Sequence, residues 1–369
     1  MLNSLQSGYT RRFLIILPKI IPKPYLLKDL RTVTEHSFTF DDILLIPNYN
    51  HYESRRMVDI SSTDRSGKLS LTLPVLTANM DTVTEHPMAN FIGEKGGMGV
   101  LHRFMSIDEN VKQFKACQHK VFVSVGCATA DLERAAALKD AGALYFCLDV
   151  AHAHAKYVGK TLKELRKLLG DVCILAGNVA TYAGADYLAS CGADIIKVGI
   201  GGGSVCSTRI KTGFGVPTLT SIEQCAKIDR SIVADGGMRT PGDIVKAIAF
   251  GADFVMIGGM LAGTAVTPGK VITQADGEKF KEYRGMASQE AQQGFLGQMP
   301  DWKTSEGVST HVPYREDQEA IIADIIGGLR SGLTYAGAAN LRELQRKCNY
   351  TMITPAARIE SLPHKTLKN

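Results

Sequence analysis

From about residue 74 the chain repeats one pattern: a run of consecutive apolar residues ends in small or polar ones, and a segment with helical spacing follows. The runs are PVLTANM (74–80), GMGVLHR (97–103), VFVSVG (121–126), LYFCLDV (144–150), VCILAGNV (172–179), IIKVGI (195–200), SIVADGG (231–237) and FVMIGG (254–259). Between them, segments such as DLERAAALKDAGA and TLKELRKLLG space their apolar residues at the helical period. Continuous rather than alternating apolar character predicts strands buried on both faces, as in a parallel sheet. Eight such strand–helix units predict an α/β fold of the (β/α)8 barrel class. A doubly wound open sheet is the weaker reading, because no G-x-G-x-x-G opens a helix after an early strand. The recurring AGA, CGADII and GADFV predict helices that end on a glycine and lead straight into the next strand.

A barrel of this kind carries its chemistry at the C-terminal ends of its strands. The polar residues of this chain gather at those predicted ends: Asn79, Met80 and Asp81; His102 and Arg103; Asp149 and His152; Asn178; the loop GIGGGSVCSTRIKTGFG (199–215); Asp235; and Gly258 with Gly259. Residues 264–316 break the repeat with a long polar insertion, which predicts a lid or binding flap over that face. Residues 317–345 read as helical, and the last ~25 residues as a tail. Residues 1–36 read as a disordered leader ahead of a single barrel domain over 37–369. Its stretch FLIILPKII (13–21) is too short for a membrane span and is broken by Pro18 and Lys19.

Composition narrows the class. The 369 residues are 45% hydrophobic and 21% charged, the balance of a soluble globular protein. The net charge of +5 is carried by the acid-free first 28 residues, so the rest is balanced and no nucleic-acid partner is expected. Eight cysteines without a C-x-x-C pair or a secretory signal predict a reduced, cytoplasmic protein with mostly buried thiols.

Cys206 is the exception. It follows a run of glycines at a predicted strand end, with Arg209 and Lys211 close by. A nucleophilic thiol needs access and a stabilised thiolate, which this setting supplies. Asp235-Gly236-Gly237 and Gly258-Gly259 suit a phosphorylated ribose, with a carboxylate for hydroxyls and N–H groups for phosphate; Asp235 reads equally well as a helix N-cap. His152 and His154 lack a third ligand at a recognisable spacing and make a poor metal site. Phe295 and Trp302 suit either stacking on a base or anchoring the flap.

FTFDDILLIPNY (38–49), TANMDTVT (77–84), AGNVAT (176–181), KVGIGGGSVCSTR (197–209), ADGGMRTPGDIVKA (234–247) and YRGMAS (283–288) together resemble the IMP dehydrogenase/GMP reductase family, in order and from about residue 37 to the end. The resemblance implies a tetrameric barrel acting on a purine nucleotide. Cys206 would attack C2 of the base, and a nicotinamide cofactor would exchange a hydride with the adduct. It further implies nucleotide contacts from Asn79, Met80, Ser204, Asp235, Gly237, Gly258, Gly259, Tyr283, Gly285, Met286 and Glu306. Arg103, Asp149, Asn178 and Gly199 would lie on the cofactor side, with Arg103 favouring the extra phosphate of NADPH. Potassium would sit on the carbonyls of Gly201, Gly203 and Cys206.

Within the family the sequence leans to the reductase, which converts GMP to IMP and ammonia. Only about twenty residues separate LHRF from VFVSVG, so no regulatory module of the CBS type fits there. Residues 290–306 contain neither the arginine nor the tyrosine by which dehydrogenases activate water. RIKTGFG and LTYAGA also resemble reductases. Against this, GMASQE puts Gln289 where reductases carry a glutamate, and an amide cannot exchange a proton as a carboxylate does. Glu290 is the expected substitute, working with Thr208. EGVSTHVPY and ESLPH resemble dehydrogenases. A dehydrogenase without regulatory modules is the alternative, and a silent nucleotide sensor the third reading.

Overall fold

The structure, a computed structural model, describes residues 37–297 and 304–363. Each predicted run contains a strand: β1 (Val75–Thr77), β2 (Gly99–Leu101), β3 (Val121–Val125), β4 (Tyr145–Asp149), β5 (Cys173–Val179), β6 (Ile195–Val198), β7 (Ser231–Asp235) and β8 (Phe254–Ile257). All are parallel, in the order β1-β8-β7-β6-β5-β4-β3-β2. The ring closes where Thr77 N–H donates to the Met98 carbonyl at 3.1 Å and Met98 N–H to the Val75 carbonyl at 3.0 Å. This is the (β/α)8 barrel that the apolar runs predict.

The runs are continuously apolar because alternate residues serve two cores. Leu76, Phe122, Cys147, Leu175 and Val233 fill the barrel interior. Val75, Val123, Phe146, Ile174 and Ile232 pack outward against the helices. Helices α1 (His86–Glu94), α2 (Ile107–Lys115), α3 (Thr129–Asp140), α4 (Lys156–Leu169), α5 (Tyr182–Ser190), α6 (Thr208–Thr212), α7 (Thr218–Cys225) and α8 (Pro241–Ala249) follow in chain order. The connection 102–120 holds α2 alone.

The G-A motifs end their helices as predicted. Gly142, Gly192 and Gly251 have φ of 102°, 109° and 112°, open to glycine at little cost. After each, an alanine N–H (Ala143, Ala193, Ala252) reaches back to the helix carbonyl five residues earlier, closing a Schellman turn. The next aspartates have a second job that the sequence did not disclose. Asp194 accepts from Ile174 N–H at 2.8 Å and Asp253 from Ile232 N–H at 2.9 Å, satisfying the start of the neighbouring strand.

The insertion forms an antiparallel sheet of β9 (Ile272–Thr273), β10 (Lys279–Arg284) and β11 (Ser309–Pro313), with helix α9 (Gln289–Leu296) between the last two strands. Helices α10 (Gln318–Ala336) and α11 (Leu341–Lys347) occupy the segment read as helical. The C-terminal stretch departs from the expected tail. Asn349–Met352 pairs antiparallel with Ile43–Ile46, and a short helix, α12, covers Pro355–Glu360. The partner strand lies some three hundred positions upstream, so local sequence gave no hint of the pairing. The leader, Trp302 and residues 364–369 lie outside the described residues. Among those described, no helix is long and apolar enough to cross a membrane.

Candidate active site

The C-terminal rim of the barrel opens into two connected lobes of about 880 and 390 Å³, which share Ala78, Met80, Gly202 to Val205, Asp235, Gly236, Met256 and Tyr283. The larger lobe lies on the side of Gly237, Gly258 and Gly259. The smaller holds Cys206, Thr208, Arg103, Asp149, Asn178, Met286 and Glu306. The rim therefore brings together most of the residues expected from the sequence.

Cys206 sits where the glycine loop turns into α6. Its Sγ is 3.2 Å from Thr208 Oγ1, and the thiol is only half buried. The flap pins this loop from outside: Ser207 N–H donates to the Glu306 carbonyl at 2.8 Å, and Val308 N–H to the Val205 carbonyl at 3.0 Å. Most other thiols behave as core atoms. Burial pushes Cys147 and Cys225 up to about 12, and Cys117 and Cys348 to about 11. Those groups hold their protons at neutral pH and are inert.

In the larger lobe, glycine keeps space open. A Cβ on Gly259 would stand 3.0 Å from Ser204 Oγ, and one on Gly258 would meet Ala78 and Met80 at 3.2 and 3.3 Å. Ser204 Oγ and Tyr283 Oη lie 3.0 Å apart, linking cysteine loop to flap. Gly237 has φ of 86° and continues the turn that follows β7. Met286 accepts from Asp81 N–H through its sulfur at 3.2 Å, and Gly285 packs beside the Val205 carbonyl. Asp81 in turn holds Arg284, with Nη2 to Oδ2 at 2.5 Å.

A buried charge network that the sequence reading missed underlies the smaller lobe. Lys197, on β6, is 2% exposed. Its ammonium donates to Asp149 Oδ1 at 2.7 Å, to Asn178 Oδ1, and to Asp235 Oδ2 at 3.5 Å. Asn178 completes the ring, donating to Asp235 Oδ2 at 2.8 Å and to the Gly199 carbonyl at 2.7 Å. Burial alone would lower the lysine's pKa, but the carboxylates of Asp149 and Asp235 outweigh it and hold the proton on. Burial would likewise raise Asp149, and Lys197, helped by Arg103 and Asn79, keeps it ionised below the usual carboxylate range. The available signal was one cation inside the apolar run IIKVGI, flanked in space by strands that end in aspartate.

Arg103 lines the smaller lobe, with a buried Nε that has no protein partner and its guanidinium 5.4 Å from the Phe104 ring. Phe104 stacks on Phe295 of α9 at 4.7 Å and 15°. Phe295 thus anchors the flap, one of the two readings its sequence context allowed. Glu290 does not join the site. It begins α9, exposed to solvent and away from both lobes, because Ser288 caps the helix and the strand-to-helix turn carries residue 290 outward. Gln292 faces inward instead, donating to the Met286 carbonyl at 2.7 Å. Glu306 is the flap carboxylate that lines the lobe with Cys206 and Thr208. His152 and His154 are exposed, and His154 packs on Tyr187 at 5.3 Å.

Comparison with known proteins gives this geometry relatives. The model for the IMP dehydrogenase / GMP reductase domain matches residues 37–364. GMP reductase 2 of Mus musculus is 39% identical over 327 residues, covering 85% of this chain and 94% of its own. GMP reductase of Vibrio cholerae is 38% identical over 340 residues, covering 88% and 97%. Two crystal structures share the fold. One is inosine 5'-monophosphate dehydrogenase from Legionella pneumophila, 71% identical, with a TM-score of 0.81 over 87% of this chain and 99% of that one. The other is a cysteine-to-alanine variant of GMP reductase from Trypanosoma brucei in complex with guanosine 5'-monophosphate, 27% identical, with a TM-score of 0.84 over 91% and 99%.

Proposed function

Because the chain belongs to the IMP dehydrogenase/GMP reductase family, we propose that it is a GMP reductase, converting GMP to IMP and ammonia through a covalent cysteine–purine adduct. The Cys206 thiolate adds to C2 of the guanine, and ammonia leaves as its nitrogen takes up a proton. A nicotinamide cofactor, which Arg103, Asp149, Asn178 and Gly199 would hold, would supply the hydride that C2 takes up. The C2–sulfur bond then breaks, releasing IMP and regenerating the thiolate. Thr208, in contact with the sulfur, moves the protons. Glu306, rather than the solvent-exposed Glu290, is its carboxylate partner, since it shares the lobe with Cys206 and Thr208. The phosphate lies against Ser204, Gly237, Gly258 and Gly259, the ribose against Asp235, and the base beside Asn79, Met80, Tyr283, Gly285 and Met286.

The observation that carries this reading is the flap composition: residues 290–306 offer neither arginine nor tyrosine to activate water, so an adduct awaiting hydrolysis would persist. Arg103 lines the smaller lobe with Asp149, Asn178 and Gly199, and we propose NADPH as the cofactor, with Arg103 as the cation for its extra phosphate. The loop of Gly201, Gly203 and Cys206 offers backbone carbonyls suited to potassium, and a homotetramer completes the proposal.

The dehydrogenase reading is favoured by the 71% identity to the Legionella protein, together with Gln289 and the stretches EGVSTHVPY and ESLPH. Reduced-nicotinamide absorbance separates the two. GMP with NADPH should lose absorbance and release IMP and ammonia, and Cys206→Ala should abolish this. Cys206-dependent production of NADH and XMP from IMP with NAD would overturn the reductase. Nucleotide binding without turnover in either direction would support a sensor.

A further inference from the structure

On β10 the period of a strand places Lys281 and Tyr283 on the same face, and both are buried, at 3% and 5% exposure. Tyr283 faces the nucleotide lobe, whereas Lys281 points at the chain leaving β8. There its ammonium meets only oxygens without formal charge: the carbonyls of Thr267 at 2.6 Å, Thr264 at 3.1 Å and Ala265 at 3.3 Å, and Thr267 Oγ1 at 3.4 Å. The Tyr314 ring, with its centroid 5.8 Å away, closes the cage. No carboxylate is among these contacts. A shell of carbonyls and a hydroxyl is how proteins hold a desolvated monovalent cation, and here the cation is covalently attached to the flap.

The consequence is mechanical. Residues 264–267 continue directly from Gly258 and Gly259, and Lys281 precedes Tyr283, Arg284 and Met286. On the opposite side Arg284 is held by Asp81. We infer that the Lys281 ammonium is a tethered monovalent cation that locks β10 to the segment after β8 and thereby sets Tyr283 and Met286 against the glycine cradle. Lys281 is a positioning residue, touching neither nucleotide nor cofactor. This rests on the nucleotide lobe proposed above, and burial pushing the lysine below its usual range is the cost that the carbonyl cage must offset.

The test measures equilibrium binding of GMP and of IMP by calorimetry, independently of turnover, at fixed potassium. Lys281→Met should weaken both by about tenfold or more while the barrel still unfolds cooperatively. Lys281→Arg, which keeps charge and donors, should retain most of the affinity. Lys281→Ala should regain affinity in methylammonium or ethylammonium chloride, and not in tetramethylammonium chloride, which has no N–H to donate. Wild-type affinity in Lys281→Met, equal losses in the Met and Arg variants, or a folded Ala variant that no alkylammonium restores would each overturn the inference. Should the Met and Ala variants fail to fold, Lys281→Arg against wild type decides it: retained affinity upholds the lock, and loss overturns it. If the wild-type chain binds neither nucleotide, the functional reading fails instead.

Discussion

Two buried lysines divide the labour of this rim in opposite ways. Lys197 lies in the barrel mouth between two carboxylates and an amide, while Lys281, on the flap strand β10, lies among carbonyls and a threonine hydroxyl beside the Tyr314 ring. Both ammonium groups are nearly withdrawn from water. The first is compensated by charge, so its proton is held more tightly than in water; the second is compensated by dipoles, so burial leaves it held less tightly. The pairing suits the location. At the barrel mouth Lys197 holds Asp149, Asn178 and Asp235 in fixed orientation on the lobe that also carries Cys206. The flap needs a lock that fixes a strand without placing a second negative charge near an anionic nucleotide.

The sharpest way to break this comparison is Lys197→Met. It leaves the half-buried carboxylates of Asp149 and Asp235 without their cation and should destabilise the barrel by about 3 kcal/mol, measured by denaturant unfolding. The pH response should also invert. In the wild type, Asp149 titrates below its usual 3.8 and Lys197 above its usual 10.5. The aspartate contribution is therefore present above pH 3.8 and lost as pH falls through the folded value. The lysine contribution is complete below pH 10.5 and lost as pH rises through the folded value. The pair thus adds a constant amount between those limits. In Lys197→Met, Asp149 loses its counter-charge while its burial remains and its folded pKa rises, so that variant should gain stability as pH falls from about 7 towards about 5. A flat profile in the variant would mean that the network contributes little.

Next in size is Asp149→Asn. It keeps Lys197 paired with Asp235 and should cost about 2 kcal/mol in unfolding experiments. Lys281→Met should cost about 1–3 kcal/mol, because it leaves a set of carbonyls unmet but no uncompensated charge. A loss as large as that of Lys197→Met would erase the distinction between charge and dipole compensation. The smallest effect is expected for Phe295→Ala. Removing the stack on Phe104 should cost about 1 kcal/mol. It should appear as faster hydrogen exchange confined to 289–297, with the barrel strands unchanged.

Much of the architecture was legible in the chain. Each barrel strand lies within an apolar run, because burial on both faces demands apolar residues at successive positions, a requirement met within a handful of residues. The helix ends were legible because a glycine with positive φ is a local necessity. Cys206 was legible because a polar thiol amid glycines at a strand end has few structural uses. What was not legible depended on neighbours distant along the chain. Glu290 and Glu306 are both acidic residues on the flap, and only the cap at Ser288 and the return of the chain past Cys206 separate the exposed one from the one in the cavity. The C-terminal strand needed a partner near residue 43. Lys197 and Lys281 read as ordinary lysines until their neighbours were known.

The sequence by itself determined the eight-fold repeat, the setting of Cys206 among glycines at a strand end and the absence of an arginine or tyrosine from residues 290–306, since each is a property of residues adjacent along the chain. Only the tertiary structure decided which flap glutamate shares the cavity with Cys206 and how each buried lysine is compensated. Those depend on groups from β4, β5 and β7, or from either side of the flap, that approach within hydrogen-bond distance only once the ring has closed.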